Sequence, residues 1–131
     1  METIFTKIIN GDIPSYKIAE NDSFFAFLDI NPLARGHTLV VPKKSIDYVF
    51  DMEDQSLGNM IIFAKKIAIA IKKCVPCEKV GVAIVGLEIP HVHIHLVPLN
   101  EVQDLNFQKK KLKLSPEQFS EIARIISAEI E

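Results

Sequence analysis

Apolar residues first recur at helical spacing in "TIFTKIING", where Ile4, Phe5, Ile8 and Ile9 fall three to four apart and Gly11 follows. That predicts a short helix with a glycine stop. "SYKIAE" and "FFAFLDI" then read as a strand pair with "END" at the turn. Asn31 and Pro32 break the second strand before the loop "PLARGH". "TLVVP" is apolar throughout, the pattern of a strand buried on both faces. From Asp54 to Cys74, Leu57, Met60, Ile61, Ala64, Ala68 and Ile71 recur at three and four, while Lys65, Lys66, Lys72 and Lys73 fill other positions. This predicts the longest helix, closed by Pro76. "KVGVAIV" and "HVHIHLVP" are rich in β-branched residues and read as central strands. Ser115, Pro116 and Gln118 have the spacing of a capping box with proline at the first helical position. They open a helix over 115–131 with a buried stripe of Phe119, Ile122, Ile125 and Ile126. The expected fold class is α+β: an antiparallel sheet of about five strands with one long helix and shorter ones packed on it. It is read as one domain over 1–131, with the helix at 115–131 appended.

Composition narrows the function classes. A chain of 131 residues fits one domain, and 48% hydrophobic with 24% charged residues is ordinary for a globular protein. The net charge of −2 supplies no basic field for nucleic acid or an anionic membrane, so neither is an expected partner. An anionic ligand must be held by local geometry. The N-terminal stretch lacks the features of a secretory signal, and Lys or Gly interrupts every apolar run short of a membrane span. Two cysteines make no disulfide framework, so the expected compartment is the reducing cytoplasm. Cys74 and Cys77 sit at a helix C-terminus with Pro76, where nothing lowers a thiol pKa, and are read as structural. The lysines at 109–111 read as a solvated loop, with a role at the mouth of the site as the alternative.

One segment resists a packing explanation. Three of the four histidines lie in "HVHIH" at residues 91–95. In a strand, residues two apart share a face, so His91, His93 and His95 would stand together, roughly 6.5–7 Å apart. Val92, Ile94 and Leu96 would point into the core. A core histidine is one reading, but strict alternation of three is hard to explain that way. Zinc binding through His-x-His is another; it needs a third ligand, and Glu88 is the only carboxylate close in sequence. The favoured reading is nucleophilic or acid–base chemistry on an anionic group. Neighbouring imidazoles resist joint protonation, so one can stay neutral and nucleophilic near pH 7 while another acts as acid.

"HVHIHLV" resembles the His-φ-His-φ-His-φ-φ motif of the histidine triad (HIT) family, φ being apolar. "FLDINP" and "GHTLVVPKK" match its N-terminal half, so that the resemblance covers roughly residues 3–99, closest to the nucleoside phosphoramidase branch. It implies hydrolysis of a purine nucleoside phosphoramidate or a related adenylylated substrate at the α-phosphate. His93 would form a nucleotidyl-histidine intermediate, His95 would contact phosphoryl oxygens and leaving group, His91 would orient His93 through its carbonyl, and His37 would support that network. Asp29 would accept hydrogen bonds from the ribose hydroxyls, and Ile4, Phe5, Ile8, Phe27, Ile30 and Leu39 would wall the base pocket. No cofactor or catalytic metal is implied, and members of this kind are homodimers pairing through the long helix and a sheet edge. Ile61, Ile62, Phe63, Ile67 and Ile69 make that helix apolar beyond one stripe. The runner-up activity is dinucleoside polyphosphate hydrolysis. Of another class is a nucleotide-binding or regulatory module with weak turnover, and a metal-dependent hydrolase comes third.

The sequence also departs from the family. Many bacterial relatives carry a structural zinc on two cysteines, a histidine after "PKK" and the first triad histidine; here those positions are Thr3, Thr6, Ser45 and His91, so no zinc is expected there. Before the triad, Leu87 stands where glutamine is usual, the usual asparagine has no counterpart, and Glu88 replaces the serine that assists the leaving group. A carboxylate near phosphate is repulsive unless protonated or turned away.

Overall fold

The structure is a computed structural model that describes residues 2–130. Helix α1 (Ile4–Ile9) is followed by strands β1 (Lys17–Glu20), β2 (Phe24–Leu28) and β3 (Thr38–Pro42). The long helix α2 (Asp54–Cys74) then leads to β4 (Lys79–Ala83) and β5 (Ile94–Leu99), and α3 (Pro116–Ala128) closes the chain. The strands form one five-stranded antiparallel sheet in the order β1-β2-β3-β5-β4. This is the expected α+β architecture.

Local chemistry sets these boundaries. Thr3 caps α1 by accepting the Thr6 N–H, and Gly11 takes φ +84° just past the helix. The Asn21 side chain accepts the Ser23 and Phe24 amides and makes the β1–β2 turn. Ser115 and Gln118 form the capping box of α3 with Pro116 in its first turn. Residue 131 of the expected last helix lies outside the described residues.

The two sheet faces carry different loads. Phe24, Ala26, Leu28, Val40, Ile94 and Leu96 face α2 and α3 and make the main core. Phe25, Phe27, Leu39 and Val41 point the other way and join Phe5 of α1 in a smaller cluster. Alternation along fully buried strands therefore splits one apolar run between two cores.

Four details differ from the sequence pattern. β4 is an edge strand, not a central one, because the α2 crossover returns the chain at the far side and β5 inserts between β3 and β4. β5 starts at Ile94: Pro90 has no donor, the His91 amide turns back to the Ile89 carbonyl (2.8 Å), and the Val92 amide goes to Ile46 (2.7 Å). On α2, Ile67 and Ala70 are core residues, whereas Ile61 is exposed with Ile62 and Ile69. On α3, Ala123 is buried and Ile125 exposed, since the contact face lies under the smaller side chain.

Candidate active site

His95 pairs with Leu39 on one side and Ala83 on the other, so it stands on the α1 face of the sheet beside Phe27. A cavity of about 550 Å³ opens there. Ile4, Phe5 and Ile8 from α1, with Phe27, Ile30 and Leu39, give it apolar walls, and Asp29, His37, Glu88, His93 and His95 bring polar groups to it. Eleven of the twelve side chains expected at the site thus line one cavity. The exception is His91, fully buried behind it. The β3 entry that presents His37 depends on Gly36: its φ is +93°, and a Cβ there would lie 2.9 Å from Val75 at the end of α2.

Hydrogen bonds decide where each imidazole proton sits. His93 Nδ1 lies 2.7 Å from the His91 carbonyl, an acceptor, so Nδ1 carries the proton and the neutral ring has its lone pair on Nε2. His91 Nε2 donates to the Pro42 carbonyl (2.8 Å), which leaves Nδ1 to accept from the Thr3 hydroxyl (2.7 Å). The buried Leu33 amide donates to His37 Nδ1 (3.0 Å), so neutral His37 is protonated on Nε2 and donates to His95 Nδ1 at 3.0 Å. His95 in turn must carry its proton on Nε2. One ring therefore offers a nucleophilic nitrogen, and the next a hydrogen-bond donor; their centroids are 5.0 Å apart.

Burial keeps the supporting imidazoles uncharged. It pushes His37 down to about 3, with His95 and then Lys111 adding to the effect. Burial also pushes His95 down to about 4, with His93 adding. His91 is lowered mainly by burial and also by His93, against the opposing hydrogen bond to Pro42. Asp29 is raised by burial, opposed by the Asn31 amide it accepts (2.8 Å) and by His93 and Lys111. The 3.5 Å contact between His37 Nε2 and Asp29 is thus a close approach to a neutral ring whose single Nε2 proton goes to His95, not an ion pair.

These shifts have a consequence for stability. The unfolded chain takes protons on His37 and His95 below about pH 6.5, whereas the folded chain resists until about 4 or below. Their stabilisation is complete above pH 6.5 and is lost as pH falls, by up to about 1.4 kcal/mol per pH unit for each ring. Urea midpoints measured from pH 7 to 5 should fall steadily; a flat profile would contradict neutral burial.

Among the cavity residues that the sequence did not single out are Phe107 and Gln108, and Lys111 of the lysine run stands beside them. Phe107 packs edge-on against His95 at 4.7 Å, and the Lys111 ammonium donates to the Phe107 and Lys109 carbonyls, which shapes the loop. The Leu112 amide ties it to Pro32 (2.9 Å). The only sequence signal was one aromatic in a polar stretch beside the lysines. Lys109 itself pairs with Asp104.

Two places bear on metal binding. Asp29, His37 and His95 each offer a ligand atom, all within 4.8 Å of one another. The His37 atom facing the others is Nε2, which carries the proton because Nδ1 already accepts the Leu33 amide. At the other place Thr3 bonds His91 and Thr6 bonds Thr3; threonine hydroxyls are poor zinc ligands, and both His91 ring nitrogens are taken. The Ser45 hydroxyl is buried with no hydrogen-bond partner among the described residues.

The sequence profile of the HIT domain matches residues 10–102. A HIT-like protein of Borreliella burgdorferi is 38% identical over 98% of this chain and 99% of its own length. An adenosine 5'-monophosphoramidase of Schizosaccharomyces pombe is 34% identical over 99% of both chains. Among solved structures, a HIT-like protein from Bartonella henselae superposes with a TM-score of 0.83 at 32% identity, over 98% of this chain and 96% of that one. A Zn-bound histidine triad family protein from Mycobacterium smegmatis gives 0.83 at 29% identity, over 99% and 94%.

Proposed function

The chain belongs to the HIT family, and from that premise we propose that it hydrolyses a purine nucleoside phosphoramidate or a related adenylylated substrate at the α-phosphate. The observation that carries this reading is the His93 ring at the cavity, whose Nδ1–H is held by the His91 carbonyl so that the neutral ring has its lone pair on Nε2. Nε2 attacks phosphorus, the bond to the leaving group breaks, and the departing nitrogen or oxygen takes a proton. Water then attacks the nucleotidyl-histidine, releases the nucleoside monophosphate and restores His93. The His95 Nε2–H donates to a phosphoryl oxygen or the leaving group, worth most in a water-poor cavity. Asp29 receives the ribose hydroxyls, and the Ile4–Phe5–Ile8–Phe27–Leu39 walls take the base.

The test is rapid quenching with labelled adenosine phosphoramidate and, separately, a dinucleoside polyphosphate. A transient adduct on His93 with the first is the expected result. Faster adduct formation with the second would favour dinucleoside polyphosphate hydrolysis, a reading encouraged by Leu87 and Glu88, both exposed on the cavity lip. Turnover without any adduct would sink the covalent mechanism, and nucleotide binding without turnover would leave a regulatory binding module.

Catalysis in this reading needs no metal. To ligate, His37 Nε2 must lose its proton, which forces one onto Nδ1 against the Leu33 amide. Turnover is expected to survive dialysis against a chelator; its loss, restored by zinc, would establish the metal-dependent alternative.

The working form in this proposal is a homodimer. β4 leaves an unpaired edge with Val82 exposed, and Ile61, Ile62 and Ile69 expose one side of α2. Sedimentation should give twice the mass of one chain, and the pair Ile62→Glu and Ile69→Glu should give the monomer; a monomeric parent would refute it. No helix among the described residues is long and apolar enough to cross a membrane. The two free thiols, Cys74 and Cys77, suit the cytoplasm proposed as its compartment.

A further inference from the structure

The first triad histidine sits outside the sheet ladder. β5 begins at Ile94, so no strand pairing fixes the backbone at residue 91, although its carbonyl must hold the His93 ring. The His91 side chain does that work from a fully buried position. Its Nε2 faces the Pro42 carbonyl, which can only accept, so Nε2 carries the proton and Nδ1 must find a donor. That donor is the Thr3 hydroxyl, itself buried, at 2.7 Å. Thr3 Oγ1 is already an acceptor, because it caps α1 by taking the Thr6 amide (3.2 Å); its hydrogen is what remains for His91. The Thr6 hydroxyl accepts the Thr3 amide (3.2 Å), lies 3.3 Å from Thr3 Oγ1, to which it can donate, and has no bond to His91. Phe5, two residues on, lays its ring against both His91 (5.6 Å) and His93 (5.0 Å).

We propose that Thr3 is a positioning residue of the triad: one hydroxyl caps the first helix and fixes His91 in the Nε2–H form, and so holds the carbonyl that keeps His93 Nδ1 protonated and Nε2 free. The inference rests on His93 being the nucleophile only where it concerns rate; the His91 proton position can be read without turnover. A cap alone could be made by many residues, but this site also needs a hydrogen to donate. That requirement separates threonine and serine from aspartate, which caps helices equally well but is acceptor-only when ionised.

The test is long-range ¹H–¹⁵N NMR of the histidine rings in the full chain, joined to steady-state kinetics with adenosine phosphoramidate. The parent should show His91 protonated on Nε2 only. Thr3→Asp keeps the cap and removes the donor, so His91 Nδ1 should gain a proton and kcat should fall about 10- to 100-fold, with KM within about twofold. Thr3→Val should lower kcat comparably, and Thr3→Ser should restore both signals. Thr6→Val loses part of the cap without touching His91 and should keep parental rings and kcat. A parent protonated on His91 Nδ1, a Thr3→Asp variant with unchanged rings and kcat, or a Thr6→Val variant that reproduces the loss would overturn the proposal. A parent inactive on the phosphoramidate would count against the proposed activity, while the ring signals would still decide the role of Thr3.

Discussion

His93→Asn should lower kcat for adenosine phosphoramidate by about 10⁴-fold or more while leaving the Kd for AMP within about threefold. In the proposed mechanism Nε2 of this ring forms the covalent bond, so the variant must use water directly and loses the two-step path. The groups assigned to binding are untouched: Asp29, the apolar walls and the His37–His95 pair stay as they are. Asparagine retains a side-chain amide that can donate to the His91 carbonyl, which limits collapse of the site. Quenched-flow assays for turnover and calorimetry for AMP measure the two quantities separately. A kcat within tenfold of the parent would remove His93 from the nucleophile's role, and a joint loss of kcat and affinity would mean that the ring serves to bind.

What could be read from the sequence followed from local rules. Strand alternation sent Val92, Ile94 and Leu96 to the core and His93 and His95 to the opposite face, as they lie. The capping boxes are local too, so Ser115–Gln118 could be read directly. Most of the misses were set by distant parts of the chain. Nothing in "KVGVAIV" shows that β5 will slot between it and β3. Helix α2 is apolar on two sides, so periodicity alone could not say that Ile67 faces the core and Ile61 does not. His91 has the right spacing for the cavity, yet the Ile46 contact at Val92 and the Pro42 and Thr3 bonds hold it behind the wall. Phe107 reaches His95 only because a loop beyond the sheet folds back over it.

His37→Ala should unsettle the site more than any other change away from the nucleophile. Burial already makes a charged His37 unfavourable, and the neutral ring is useful because it has one acceptor and one donor in line. It accepts the Leu33 amide and donates to His95 Nδ1. Alanine orphans both groups in a buried place, at about 1–3 kcal/mol each, and leaves a ring-sized void beside them. The expected loss of unfolding free energy is about 3–5 kcal/mol, read as a lower urea midpoint with an unchanged slope. His95 also loses the donor that fixes its proton on Nε2, so its ring is free to carry the proton on Nδ1 and present a lone pair where a donor is required. About 10²-fold should then be lost from kcat, in line with removal of one oriented donor to a phosphoryl group. His37→Gln separates the two effects, because its amide can supply a donor and an acceptor across a similar span. If glutamine recovers stability without kcat, the ring's exact line of bonds sets the His95 proton; if alanine costs neither, the relay from Leu33 to His95 has no functional weight.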